Sequence, residues 1–182
     1  MPKPLVISVV VSWALAVPVQ AVCAAETPHL GKPADPELLR AWDISIPPDG
    51  SGLPPGRGSV AEGAEIYEAK CVMCHGTAGA GQPADRLTGG IGTLASAQPV
   101  KTVASYWPYA TTLFDYVRRA MPINAPRSLT AHEVYALCAY LLSVDGIVPR
   151  NSVLDGKSLP KVKMPNRNGF INVLNSSGGA RR

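Results

Sequence analysis

The chain has 182 residues, 46% of them hydrophobic and 16% charged, which is a globular balance and a length suited to one domain. Four cysteines are too few for a disulfide framework, while 18 prolines and 17 glycines point to long irregular segments around a small core. The formal charge of +4 hides a basic tail, seven basic residues against one acidic from residue 150 onward, on a body with nine basic residues (Lys3 aside) against twelve acidic; with no aromatic-basic platform, nucleic acid is excluded as a partner.

Residues 1–24 read as a secretory signal: Lys3 is followed by an apolar run from Leu5 to Val17 and then Pro18, with small residues at Ala21, Ala24 and Ala25 for cleavage. The run is too short to span a bilayer, so no stable membrane span is expected after cleavage, and the location expected is the periplasm. Lipidation at Cys23 is a weaker alternative, because Val22 and Gln20 suit such a site badly.

Residues 25–58 form a Pro/Gly-rich N-terminal arm with seven prolines. That composition predicts an extended arm without regular helix. Trp42 and the alternation from Ile44 to Ile46 suggest a short strand-like stretch lying on the domain or on a partner.

A helix is expected from Ser59, where Ser59 and Glu62 make a capping box. Val60, Gly63, Ala64, Tyr67 and Cys71 then share one face, and Gly63 on that face suggests close approach of another helix. The helix runs into Cys71-Val72-Met73-Cys74-His75, a C-x-x-C-H run that reads as the attachment site of one c-type haem. Positions i, i+3 and i+4 share a helical face, so Cys71 and Cys74 can form thioethers while His75 supplies an axial nitrogen. A redox C-x-x-C pair and half of a zinc site are the plainer readings, but zinc would need a second ligand pair that the sequence lacks. A backbone carbonyl near Pro83 is expected to accept the free ring N–H of His75.

Farther on, Thr111 or Thr112 is expected to cap a helix running through Arg119, with Leu113, Phe114 and Val117 inward. Pro122 forces Met121 into extended backbone, which suits a thioether held at a rigid chain exit as the second axial ligand. Met164, which precedes Pro165, is the rival; Met73 points to the wrong side of its helix. Tyr106, Trp107, Tyr109 and Arg119 could shield the haem edge or bond its propionates. A closing helix opens with a second capping box, Thr130 and Glu133, carries Val134, Leu137, Cys138, Leu141 and Leu142 on one apolar face, and stops at Asp145-Gly146. Cys138 on that face is expected to be a buried, inert thiol. Residues 59–145 are thus the monohaem domain, and 146–182 a basic C-terminal arm whose end is expected to be disordered.

With helix, C-x-x-C-H, Met-Pro and terminal helix in place, the chain resembles class I cytochrome c. It is similar in particular to the cytochrome subunits of bacterial sulfite and sulfane (sulfur) dehydrogenases, on Trp42 to Gly56, Tyr106 to Pro122, Leu129 to Leu142 and Met164 to Phe170. The resemblance implies an all-α class I cytochrome c fold with extended N- and C-terminal arms, in which the first and last helices cross at Gly63 and Tyr67 against the region of Tyr140. It also implies one covalently bound haem c and a molybdenum-cofactor dehydrogenase as electron donor, with a downstream cytochrome or oxidase as acceptor. The expected site is Cys71, Cys74, His75 and Met121. A freely diffusing cytochrome with other donors and a haem enzyme or sensor with an open axial position are the alternatives.

Overall fold

The computed structural model describes residues 31–173; the signal reading and the end of the basic tail lie outside the described residues. Every described helix and strand falls in the unit that begins at Pro36. In chain order these are α1 (Pro36–Trp42), β1 (Arg57–Ser59), α2 (Val60–Lys70), α3 (Val72–His75), α4 (Val103–Tyr106), α5 (Ala110–Ala120), α6 (Ala131–Val144) and β2 (Val153–Asp155), with short 3-10 turns at Thr77–Gly79 and Leu159–Lys161. The architecture is helical, with one two-stranded antiparallel ribbon that pairs Gly58 with Leu154.

Both expected capping boxes are present. Ser59 accepts from the Glu62 N–H while the Glu62 carboxylate accepts from Ser59 N–H at 2.7 Å, and Thr130 and Glu133 repeat the arrangement at the head of α6. These reciprocal bonds satisfy backbone donors that a helix start would otherwise leave open, so α2 and α6 begin at fixed points. They cross where Gly63 lies: a Cβ there would sit 2.0 Å from the Ala136 carbonyl oxygen. Only glycine allows that approach, and Tyr67 then packs on Tyr140 with ring centroids 5.1 Å apart. Gly58 approaches α6 in the same way, against the Ala136 backbone.

The core lies between α2, α5 and α6. Phe114 and Tyr135 stack at 4.5 Å, and Val134, Leu137, Cys138 and Leu142 are buried with them. Each such aliphatic or aromatic side chain contributes about 1.5–3 kcal/mol on leaving water. The flanking segments add to this core, because Ile46 before α2 and Leu154, Leu159 and Met164 after α6 are also buried.

Three local expectations need correction. The arm is not free of helix: Pro36 stands at the first position of α1, where its missing N–H and fixed φ favour helix, and Glu37 follows in the first turn. Residues 42–46 form no strand, and Trp42 stays 76% exposed. Neither Thr111 nor Thr112 caps α5, whose N-cap is Tyr109 without a side-chain bond. Thr111 is buried inside the first turn instead, with its hydroxyl toward the Pro48 carbonyl at 3.4 Å.

Candidate haem site

Cys71 closes α2 with its N–H on the Tyr67 carbonyl, and the next turn follows at once. His75 N–H bonds the Cys71 carbonyl at 3.0 Å and Cys74 N–H bonds it at 3.2 Å, so one helical turn carries all three side chains. The thiols of Cys71 and Cys74 are free, the first half-buried and the second exposed. Met73, between them, is 87% exposed. Burial pushes the Cys71 thiol up to about 11. A redox C-x-x-C pair depends on a lowered thiol, so this environment disfavours that reading. Among the described residues, no group of three His, Cys, Asp or Glu side chains converges to hold a metal ion.

The loop after His75 is tied back onto the turn. Gly81 N–H bonds the His75 carbonyl and Ala84 N–H bonds the Cys74 carbonyl, both at 2.7 Å. Gly76 makes the first bend at φ +69, and a Cβ there would lie 2.5 Å from the Gly81 carbonyl oxygen. This wrapping brings the Asp85 carbonyl to 2.9 Å from Nδ1 of His75. A carbonyl can only accept, so Nδ1 carries the proton and Nε2 keeps its lone pair for a metal. The expected acceptor near Pro83 is therefore Asp85. Tyr67, read from sequence only as a packing residue, also bonds the loop: its hydroxyl donates to the Gly76 carbonyl at 2.9 Å. Its position one turn before Cys71 was the available signal. Burial raises the Tyr67 hydroxyl to about 12, so it remains a donor at any physiological pH.

Met121 terminates α5 in extended backbone at φ −113, ψ 148, as a residue before proline should. It is half-buried at the edge of the core. Met164 is 3% exposed and enclosed by the protein's own atoms. A sulfur that binds an external group must present itself outside that packing, and Met121 meets the condition better. Two thiols, an imidazole with an oriented lone pair and a thioether at a chain exit are a donor set that fits a covalently attached haem.

The four residues proposed around the haem edge all have protein partners. Tyr106 packs edge-on to Phe170 at 5.2 Å and its carbonyl accepts from the Asn166 amide. Trp107 meets Tyr116, Tyr109 lies under Arg167, and Arg119 is ion-paired with Asp115. Asp115 is a residue that sequence reading missed. It is buried and also accepts the Ile46 N–H at 3.0 Å, joining α5 to a segment 69 residues earlier.

Comparison with known proteins gives two results. The cytochrome c family model matches residues 60–145. A chain of the crystal structure of the sulfane dehydrogenase SoxCD from Paracoccus pantotrophus is 38% identical, with a TM-score of 0.76 over 85% of this chain and 81% of that one. No curated protein sequence matches.

Proposed function

This chain belongs to the class I cytochrome c family, it carries covalently bound haem c and transfers electrons, and from that premise we propose that it is the periplasmic electron-transfer subunit of a sulfite or sulfane dehydrogenase. In this reading a molybdenum-cofactor dehydrogenase reduces it, and it passes electrons to a downstream cytochrome or oxidase of the respiratory chain. The observation that carries the proposal is the reach of the likeness to the SoxCD chain. It covers 85% of this chain, whereas the cytochrome domain ends at residue 145 and begins at 60. The match therefore runs through the flanking segments, which a cytochrome fold alone does not require.

Those segments also hold exposed apolar side chains among the described residues. Leu38, Leu39 and Trp42 on α1 are exposed, as are Phe170 and Ile171 near the other end. A seven-residue helix has little stability of its own in water, and apolar surface of this kind suits a protein partner. Export is supported by the signal-like start, since c-type haem is attached outside the cytoplasm. Among the described residues no helix is long and apolar enough to cross a membrane.

When bound, the haem supplies a one-electron iron couple that needs no proton or substrate at the metal. Cys71 and Cys74 would hold the haem through thioethers, and His75 Nε2 and the Met121 sulfur would bind its iron. The Asp85 carbonyl orients the imidazole. Tyr67 and the bonds made by Gly81 and Ala84 tie the loop back onto the turn that carries His75. A methionine sulfur as second ligand raises the reduction potential relative to a second histidine, which suits an acceptor.

The test mixes ferric holoprotein with the molybdenum dehydrogenase subunit of the same organism and sulfite or a thiosulfate-derived sulfane, and follows haem reduction. A stable one-to-one complex and substrate-dependent reduction are expected, both weakened by the triple variant Leu38→Ser, Leu39→Ser and Trp42→Ser. Reduction without a stable complex would favour the freely diffusing cytochrome instead.

A further inference from the structure

A second polar feature lies away from the C-x-x-C-H turn. Arg118 in the last turn of α5 and Arg127 in the following loop line one open cavity of about 210 Å³ together with Ile44, Pro54, Leu129 and Ala131. Two guanidinium groups lining one small cleft repel each other unless an anion lies between them, and among the described residues neither forms an ion pair with a carboxylate; Arg118 is half-buried and Arg127 is exposed at the rim. Among the described residues Arg118 makes no hydrogen bond or ion pair, and Arg127 donates only to the Ala41 carbonyl at 3.2 Å. Asp115, three residues before Arg118, is ion-paired with Arg119. Asp43, next to Ile44, forms no ion pair with either arginine. The ring of His132, beside Ala131, sits on the Arg57 carbonyl.

We infer that this cavity binds a small divalent tetrahedral oxyanion of the sulfate and phosphate type, held between Arg118 and Arg127. Each guanidinium offers a planar fork of donors. A tetrahedral anion has oxygens enough to meet two forks at once. A single carboxylate brings one negative charge to two guanidiniums, where a divalent anion brings two, and a halide ion has no separate oxygens to offer. The volume leaves room for bridging waters as well. The walls come from the N-terminal arm, α5, the loop after Met121 and the first turn of α6, so a bound anion links the arm to the helices and stabilises the folded protein by mass action.

The experiment titrates sulfate, and separately inorganic phosphate, into full-length holoprotein at constant ionic strength set with chloride, following the arginine Nε–Hε resonances and the melting temperature. Wild type and Arg150→Gln, whose arginine lines a different cavity, should show saturable shifts with either anion, and the tighter of the two identifies the natural ligand. Arg118→Gln and Arg127→Gln should each weaken binding about tenfold or more, the worth of a lost charge-assisted pair. Shifts that never saturate and are equal in all variants would mean a bulk salt effect and overturn the site. Absence of anion binding, with the arginine variants instead weakening the dehydrogenase complex, would overturn it in favour of a docking contact for a partner's carboxylate.

Discussion

His75 and Met121 are assigned to the same iron, yet the chain around each is held by different means. From Cys71 to Asp85 most hydrogen bonds are made within the same short stretch, and the others come from its immediate neighbours, Tyr67 before it and Arg86, Leu87 and Thr88 after it. Met121 has one backbone bond, to Val117, and the seven residues from Ile123 to Leu129 include six that are exposed. Its place is set by α5, and α5 is fixed in turn by Asp115 reaching Ile46 across 69 residues. One ligand is thus delivered by local chain geometry and the other by tertiary packing. The thioether side should loosen first under stress.

The largest separation of the two sides is expected from Asp115→Asn. It removes the charge that holds Arg119 and weakens the tie to Ile46, a loss of about 1–3 kcal/mol for a buried charged hydrogen bond. On heating, the methionine signal of the ferric spectrum should disappear well before helical circular dichroism does. If both fall together, Asp115 supports the whole domain and the contrast fails. Tyr67→Phe acts on the other side. Loss of its bond to Gly76 should lower stability by about 1 kcal/mol in urea unfolding while leaving the methionine signal at room temperature unchanged.

The smallest effect concerns the brace between α2 and α6 beside Cys71, where Lys70 Nζ lies 2.5 Å from the Glu133 carboxylate. Lys70, and then Thr130, hold the Glu133 carboxyl below its ordinary value. A lowered folded value means that this contribution is present in full above the ordinary carboxylate range and is lost as pH falls through the lowered value. The pair is partly exposed, so the effect is modest and salt-sensitive. The difference in urea midpoint between wild type and Glu133→Gln should be constant near neutrality and should close as pH falls below the ordinary carboxylate range. A gap that persists in acid would show that packing, rather than charge, separates the two proteins.

What could be read from the sequence follows the same division. The C-x-x-C-H turn and the two Ser/Thr-to-Glu capping boxes depend on residues three or four apart, so their chemistry is written locally. Gly63 was legible as a close approach because it interrupts an apolar face. The capping box of α4 was missed because Ser105, rather than Glu or Gln, returns the bond to Thr102. The Pro/Gly-rich composition of the arm argues against helix as a whole, yet Pro36 stands at the first helical position, where proline favours helix. The β1–β2 ribbon, the Asp115 tie to Ile46 and the burial of Thr111 join segments far apart in the chain, and no local pattern marks them. The choice between Met121 and Met164 has the same character, since both precede proline and only their packing differs.

The most direct test is the ferric spectrum of the purified holoprotein, read for the weak red-edge band of a methionine sulfur on haem iron, in wild type, Met121→Ala and Met164→Ala. The assignment of His75 and Met121 predicts the band in wild type and Met164→Ala and its loss in Met121→Ala. A band that survives in Met121→Ala would place another ligand on the iron, and its absence from wild type would make the protein a haem enzyme or sensor with an open axial position.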